Sequence, residues 1–161
     1  MENAHPEMED EKITVLYIDD EEHNLISFKA SFRRLFKVYT ADSAEAGKAI
    51  LEQEEIHVIL SDQRMPKITG IEFFESIKET HPLPIRILIT GYTDINAVIG
   101  AINRGQVYKY LTKPWVDEDV KNFVEKAYEV FKLRKDNIDL TNKLLEVNKK
   151  LEFLARQNLL S

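Results

Sequence analysis

The chain has 161 residues, of which 43% are apolar and 31% are charged, a balance typical of one globular domain with some additional sequence. The formal net charge of −6 argues against direct nucleic-acid binding, and the lack of cysteine excludes disulfides, thiolate catalysis and cysteine-ligated metals. The sequence has neither a signal-peptide pattern nor an apolar run of the roughly 20 residues that span a bilayer, so we expect a cytoplasmic protein without membrane contact.

The first segments predict a tail followed by a strand and a helix. Residues 1–11 are acidic, polar and interrupted by proline, so we expect a disordered tail. An aliphatic and β-branched strand follows at 13–18 and ends in the paired acids Asp19 and Asp20. The apolar residues after these acids are spaced by three and four, which predicts one buried helix face formed by Leu25, Phe28, Phe32 and Leu35.

Two further strand–helix units follow, and the second of these strands ends in an isolated acid, Asp62. A short strand at 38–40 precedes Ser43, a typical helix cap, and a helix whose buried face we predict to be Ala46, Ala49 and Ile50. Residues 56–61 are apolar enough for the covered centre of a parallel sheet and lead directly into Asp62. Gly70 then opens a helix whose predicted buried face is Ile71, Phe74 and Ile77.

The last two strands also end in polar residues. The remaining predicted elements are a strand at 85–89, a helix at 94–103 that is stopped by Gly105, a strand at 107–111 and a helix from about Asp117. Thr90 directly follows the first of these strands, and Lys113 follows the second.

Strand and helix alternate five times, which predicts an α/β fold with a doubly wound parallel sheet and helices on both faces. Because the connecting loops are short, the carboxyl ends of the strands share one edge, where open α/β folds bind their ligands. We therefore expect that edge to gather Asp19, Asp20, Asp62, Thr90 and Lys113.

These side chains at one edge predict phosphoryl chemistry with a divalent cation. Three carboxylates repel one another unless a cation joins them, and oxygen ligands without histidine or sulfur favour Mg²⁺. A carboxylate beside Mg²⁺ can act as a nucleophile toward a phosphoryl group. A lysine and a hydroxyl would then contact the phosphoryl oxygens.

Five separated motifs resemble the receiver domain of bacterial two-component response regulators over about 13–131. They include Asp19-Asp20, Asp62 with Met65-Pro66 and Gly70 downstream, Thr90-Gly91, and Tyr110-Leu111-Thr112-Lys113-Pro114. The resemblance implies a flavodoxin-like, five-stranded sheet of order 2-1-3-4-5. It also implies that Asp62 accepts a phosphoryl group from a histidine kinase or a phosphotransfer protein.

The same resemblance implies a role for each residue at the edge. Mg²⁺ would be held by Asp19, Asp20, Asp62 and the main-chain carbonyl of Arg64. Lys113 would contact the phosphate, Thr90 and Tyr110 would form a switch pair, and the Lys113–Pro114 bond would be cis.

Three further positions near the acceptor bear on its behaviour. Lys67 departs from the family pattern, because many members have a small residue there. Arg64 and Tyr92 occupy positions that tune the lifetime of the phosphate in this family, and their size predicts restricted access of water.

A heptad pattern begins near the end of the receiver-like region. Its a and d positions are Val130, Leu133, Asn137, Leu140, Leu144, Val147, Leu151, Leu154 and Asn158. This pattern predicts a coiled coil continuous with the last receiver helix, and we interpret it as a parallel homodimer through 130–158. The flanking e and g positions from Arg134 onward offer few ion pairs between the helices. The alternative is one long helix that packs back on its own receiver.

The predicted domains are thus a tail at 1–11, a receiver at 12–131 and a transmission helix at 132–161. The heptads continue to the last residue, so we expect a fused output domain of the GGDEF or HD-GYP type. In this chain itself we expect no enzyme activity beyond self-catalysed phosphorylation and dephosphorylation. Two other functions stay open. One is a Mg²⁺-dependent aspartyl-phosphate phosphohydrolase, although that class carries Asp-x-Asp on its first strand, and the other is a coiled-coil scaffold with a silent receiver.

Overall fold

A computed structural model describes residues 12–91, 95–104 and 106–160. The predicted tail, Tyr92, Asp94 and Gly105 lie outside the described residues. Strands and helices alternate in the order β1 (Thr14–Ile18), α1 (Glu22–Phe32), β2 (Lys37–Ala41), α2 (Ala44–Gln53), β3 (Val58–Asp62), α3 (Gly70–Ile77), β4 (Ile85–Thr90), α4 (Ile95–Asn103), β5 (Lys109–Thr112) and α5 (Asp117–Leu160).

The five strands form one parallel sheet of order β2-β1-β3-β4-β5, which confirms the predicted fold. The register aligns the carboxyl ends of neighbouring strands, with Ile18 opposite Ser61 and Asp62 opposite Ile89. Short loops then return the chain through helices on both faces, so the residues that follow the strands meet at one edge.

Each face of the sheet has its own apolar cluster, because side chains alternate along a strand. On β1, Val15 and Tyr17 pack with residues of α1 and α5, whereas Leu16 and Ile18 pack with residues of α2, α3 and α4. The strand is therefore apolar at consecutive positions, as expected for a sheet that is covered on both sides.

The structure corrects the predicted face of the first helix. Leu25, Phe28 and Phe32 are buried as predicted, but Leu35 is 45% exposed. The helix ends at Phe32, and the Phe36 N–H then donates to the Phe32 carbonyl over 2.9 Å. This turn points Leu35 at solvent and brings Phe36 into the core instead.

The predicted faces of the second and third helices were only partly right. On α2 the buried residues are Gly47 and Leu51, whereas Ala49 is exposed and Ala46 and Ile50 are half-buried. Gly47 faces the core because α2 approaches Ile18 so closely that a Cβ there would lie 2.6 Å from the Ile18 Cδ1. On α3, Phe74 and Ile77 are buried as predicted, Ile71 is half-buried, and Phe73 is an additional core residue.

The last helix, α5, is continuous over 44 residues and extends beyond the receiver. At a rise of 1.5 Å per residue it is about 66 Å long. Its first part packs on the sheet through Val120, Val124, Ala127 and Phe131, whereas residues 132–159 are all exposed. The alternative in which the helix packs back on its own receiver is therefore not what the structure shows.

Aromatic and ionic contacts hold α5 where it leaves the receiver. The His57 ring contacts the rings of Tyr128 and Phe131 at centroid distances of 4.9 and 4.8 Å. Lys135 reaches Glu55 over 3.3 Å. His57 Nδ1 also accepts a hydrogen bond from the Thr14 N–H, so this histidine has a structural role.

Among the described helices, α5 included, none has the length and apolar character to cross a membrane.

Helix α3 begins so close to the end of β3 that Gly70 has no room for a side chain. A Cβ at Gly70 would lie 2.5 Å from the Asp62 carbonyl oxygen and 2.7 Å from Leu88 Cδ1, and the backbone atom cannot move aside without distorting the strand end. We expect Gly70→Ala to lower the free energy of unfolding by about 1–3 kcal/mol in urea denaturation. Gly91→Ala is the control, since nothing lies within 4 Å of its added Cβ, and equal losses in both variants would contradict this packing argument.

Candidate functional site

Three carboxylates lie together at the carboxyl edge of the sheet. Asp19, Asp20 and Asp62 each place one oxygen within 4.8 Å of the others. Asp19 is buried, Asp62 is half-buried and Asp20 is exposed. The loop after β1 and the last residue of β3 supply these groups, so the adjacency of the two central strands creates the cluster.

Asp19 is held by four donors. Its Oδ2 accepts hydrogen bonds from the Tyr17 hydroxyl at 2.7 Å and the Asn24 amide at 3.0 Å, and its Oδ1 accepts one from the Glu21 N–H at 3.0 Å. Lys113 Nζ is 3.4 Å from Oδ2. Burial alone would raise the pKa of Asp19, but these donors and the lysine outweigh it and lower that pKa below its ordinary value.

Asp62 has the opposite electrostatic balance. Burial raises its pKa, and the neighbouring charge of Asp19 raises it further, although the hydrogen bond and charge of Lys113 act against both. Lys113 Nζ lies 3.0 Å from Asp62 Oδ2. Burial would lower the pKa of Lys113, but its two carboxylate partners raise it, so the ammonium stays charged. One ammonium thus balances only part of the charge of three carboxylates.

Lys113 is positioned by the end of β5. Its N–H donates to the Thr90 carbonyl over 3.1 Å, which ties the loop after β5 to the end of β4. The Lys113–Pro114 bond is cis, as the resemblance implied. Trp115 then packs against the core and meets the Tyr17 ring edge-on at a centroid distance of 6.4 Å.

Thr90 and Tyr110 lie on the same face of the sheet. Tyr110 is opposite Leu88, and Thr90 is two residues beyond Leu88 on β4. Thr90 is buried and donates to the Gly91 carbonyl over 3.1 Å, whereas Tyr110 is half-buried against the cluster of α2, α3 and α4. Their role as a switch pair stays a prediction.

The remaining predicted residues lie in or beyond the loop after β3. Arg64 and Lys67 have exposed side chains, and the main-chain N–H of Arg64 lowers the pKa of Asp62 through a hydrogen bond. The roles of the Arg64 carbonyl and side chain stay predictions. Tyr92 lies outside the described residues.

Sequence reasoning missed three residues that support the site. Tyr17 and Asn24 orient Asp19, and the Gln63 side chain accepts from the Ile71 N–H at 3.1 Å, which joins the end of β3 to the start of α3. Tyr17 offered a signal, because a tyrosine in the middle of a buried strand needs a partner for its hydroxyl. The contacts of Asn24 and Gln63 depend on how separate elements come together, and no sequence pattern marks them.

The comparisons with known proteins agree with this geometry. Residues 15–125 match the family described as the response regulator receiver domain. The hydrogenase transcriptional regulatory protein HoxA from Cupriavidus necator is 38% identical over 129 residues, which cover 80% of this chain and 27% of HoxA. Among solved structures, an adenylate cyclase from Rhodopirellula baltica aligns with a TM-score of 0.79 at 26% identity, covering 82% of this chain and 98% of that one. A receiver domain protein from Clostridium thermocellum aligns with a TM-score of 0.71 at 31% identity, covering 75% and 98%.

The chain therefore belongs to the response regulator receiver family of two-component signalling. It spans less than a third of the length of the curated relatives it matches.

The opposite pKa shifts of the two aspartates give a matched pair of predictions. The lowered pKa of Asp19 means that its charge stabilises the fold above the unfolded-state pKa and that this stability is lost as pH falls through the folded-state pKa. Asp19→Asn should lower the free energy of unfolding by about 1–3 kcal/mol at pH 7. The raised pKa of Asp62 means that its charge destabilises the fold at pH 7, so Asp62→Asn should raise that free energy.

Urea denaturation in buffer with EDTA measures both effects without bound metal. The Asp62 contribution should become less unfavourable as pH falls through its folded-state pKa. Shifts of the same sign in the two variants would contradict the electrostatic account of the site.

Proposed function

We propose that Asp62 accepts a phosphoryl group from a histidine kinase or a phosphotransfer protein, and that α5 carries the resulting signal away from the receiver. The observation that carries this proposal is the contact of Asp62 with Lys113 beside Asp19 at the open edge of the sheet. Family membership supports the same role for this carboxylate.

The residues on the edge suit this transfer. A carboxylate oxygen of Asp62 forms a bond to phosphorus, and the bond from phosphorus to the donor nitrogen breaks, with the nitrogen keeping the electron pair and taking up a proton. Lys113 already contacts Asp62 and would stay close enough to neutralise a phosphoryl oxygen. The Thr90 hydroxyl now donates to its neighbouring carbonyl, and it would exchange that bond for one to the phosphate.

The acidic cluster fits a magnesium ion. Its ligands are carboxylate oxygens in close proximity and carry excess negative charge, which is the donor set that Mg²⁺ prefers. Asp19, Asp20, Asp62 and the carbonyl of Arg64 would hold the ion. When bound, Mg²⁺ offsets negative charge on the transferring phosphoryl group.

The signal would travel from Thr90 to the face formed by α4, β5 and α5. Phosphorylation supplies the driving force through its added charge and acceptor oxygens. Thr90 moves toward the phosphate, Tyr110 rotates into the vacated space, and the face formed by α4, β5 and α5 then repacks. Because α5 continues beyond the receiver, the repacking would reach a parallel homodimer through 130–158 and then a fused output domain. The GGDEF or HD-GYP type of that domain and the cytoplasmic location stay predictions.

The two other functions have less support. A dehalogenase-type phosphohydrolase carries Asp-x-Asp on its first strand, whereas the two acids that follow β1 here, Asp19 and Asp20, are adjacent. A silent scaffold would not need Tyr17, Asn24 and Lys113 to hold Asp19 beside Asp62. We therefore assign the chain the role of a phosphoacceptor and not of an enzyme with multiple turnover.

Labelling with a small phosphodonor tests the acceptor. With acetyl phosphate and Mg²⁺, mass spectrometry of the intact parent should show one phosphoryl group, labile in base, and Asp62→Asn should show none. Asp139→Asn is the control, because Asp139 is an exposed aspartate on α5 and should not alter labelling. Equal labelling of Asp62→Asn and the parent would overturn the proposal, and multiple turnover of the donor would favour the phosphohydrolase.

The switch is tested separately from the acceptor. In the parent chain, the repacked face should change the dimer dissociation constant on phosphorylation. Thr90→Ala should still be labelled on Asp62, but its dimer dissociation constant should stay the same, because no hydroxyl responds to the phosphate. Thr90→Ser keeps the hydroxyl and should respond as the parent does. Sedimentation equilibrium with and without phosphodonor measures the change, and a full response in Thr90→Ala would contradict the coupling.

A further inference from the structure

The exposed part of α5 carries an apolar seam that needs a partner. Six of its a and d residues are each more than half exposed, and they are Leu133, Leu140, Leu144, Val147, Leu151 and Leu154. Val130, the first a residue, is half-buried against the receiver core, and the d positions before it are the charged residues Asp119 and Lys126. The free seam therefore begins at Leu133, where α5 leaves the receiver.

The receiver packs on one flank of this seam. The buried residues of α5 are Val120, Val124, Ala127 and Phe131, and they occupy e and b positions in the same heptad frame. At 100° per residue, e and b lie beside a on a single side of the helix. An e residue therefore lies at the boundary between the receiver and the seam, and a g residue lies on the opposite flank.

Arg134 is the first e residue beyond this buried surface, and it has a cation as its neighbour. Arg134 and Arg86 line the same cleft of about 240 Å³, together with Pro84, Ile102, Val107 and Tyr108. Arg86 is buried on β4, with its Nε donating to the Gln106 carbonyl over 2.8 Å. Burial lowers the pKa of Arg86, and the charge of Arg134 lowers it further. A carboxylate that entered beside Arg134 would relieve this repulsion.

The heptad frame supplies such a carboxylate from a second copy of the chain. In a parallel, in-register pair, a g residue of one helix meets the e residue five positions later in the other helix. Glu129 is a g residue, and the e residue five positions on is Arg134. The later g and e combinations pair Asp136 with Thr141, Lys143 with Asn148, and Lys150 with Ala155, so none joins opposite charges.

Glu129 and Arg134 cannot satisfy each other within one chain. They lie on opposite flanks of the same helix, and both side chains are exposed. Within the described ranges of the chain, no ion pair joins either residue to an opposite charge. In an antiparallel pair, e residues face e residues and g residues face g residues, so the two side chains would not meet there either.

We propose that a second copy of this chain covers the seam in parallel and in register, with Glu129 of the partner subunit paired to Arg134 where α5 leaves the receiver. This inference rests on the proposed dimeric helix and adds its register and the contact that fixes it. By symmetry each dimer has two such ion pairs, one on each side of the seam where it begins at Leu133. The same strand, β4, carries Thr90 at one end and Arg86 beside this contact at the other.

Charge reversal tests the pairing in the full chain. Glu129→Arg places two arginines opposite each other, and Arg134→Glu places two glutamates opposite each other. Each single variant should weaken the homodimer about tenfold at low salt, and the double variant should return to within about threefold of the parent. The losses should shrink at high salt, because these charges are exposed. Lys143→Glu is the control, since its e partner is Asn148, and it should change the dissociation constant little.

A mixture of the two single variants gives the sharpest result. A heterodimer of the Glu129→Arg and Arg134→Glu chains has opposite charges at both positions, so it should form in preference to either homodimer. Native mass spectrometry of the mixture measures the three species, and circular dichroism verifies that each variant keeps its helix content.

The outcomes separate this inference from the proposed function. Preferential heterodimers and a rescued double variant support the parallel register. A dimer whose affinity is the same in all variants overturns the ion pair while leaving a dimeric helix in place. A monomer at all concentrations overturns both the pairing and the dimer, but it leaves phosphorylation of Asp62 untouched.

Discussion

One ammonium between two carboxylates is the contact on which the site depends. Lys113 lies 3.0 Å from Asp62 and 3.4 Å from Asp19, and so joins the carboxyl ends of β1, β3 and β5. Because Asp20 adds a third carboxylate, the cluster keeps an excess of negative charge even with Lys113 in place. This excess suits a divalent cation, and we propose that Asp62 reacts with a phosphoryl group beside that cation.

The parallel sheet connects this contact at its carboxyl edge to the start of the exposed part of α5 at its opposite edge. The carboxyl edge of the sheet carries the acids, Thr90 and Lys113, whereas the opposite edge carries His57 and Arg86 next to the exit of α5. Strands buried on both faces are stiff connections between these edges, since their side chains have little room to rearrange. In our account, the receiver therefore acts on a helix that is anchored at one end and exposed beyond it.

Most of the fold and most residues at the carboxyl edge of the sheet were predictable from the sequence, because the signals lie in short stretches of neighbouring residues. Each residue of the edge lies at the end of an aliphatic strand or just after it, so strand composition and parallel topology together place Asp19, Asp62, Thr90 and Lys113 at one edge. What stayed hidden depended on tertiary contacts: Gly47 is a core residue only because α2 approaches Ile18 closely, and Leu35 is exposed only because α1 ends one turn earlier than the apolar spacing suggests. Tyr17 and Asn24 could not be assigned to Asp19 for the same reason.

The most direct test of the central claim is a crystal structure of the chain with Mn²⁺ as an anomalous scatterer and beryllium fluoride as a phosphoryl mimic. We expect one anomalous peak in contact with Asp19, Asp20 and Asp62, a beryllium atom bound to Asp62, and a fluoride within hydrogen-bond distance of Lys113. A metal ion bound elsewhere, or an adduct on a different carboxylate, would contradict it.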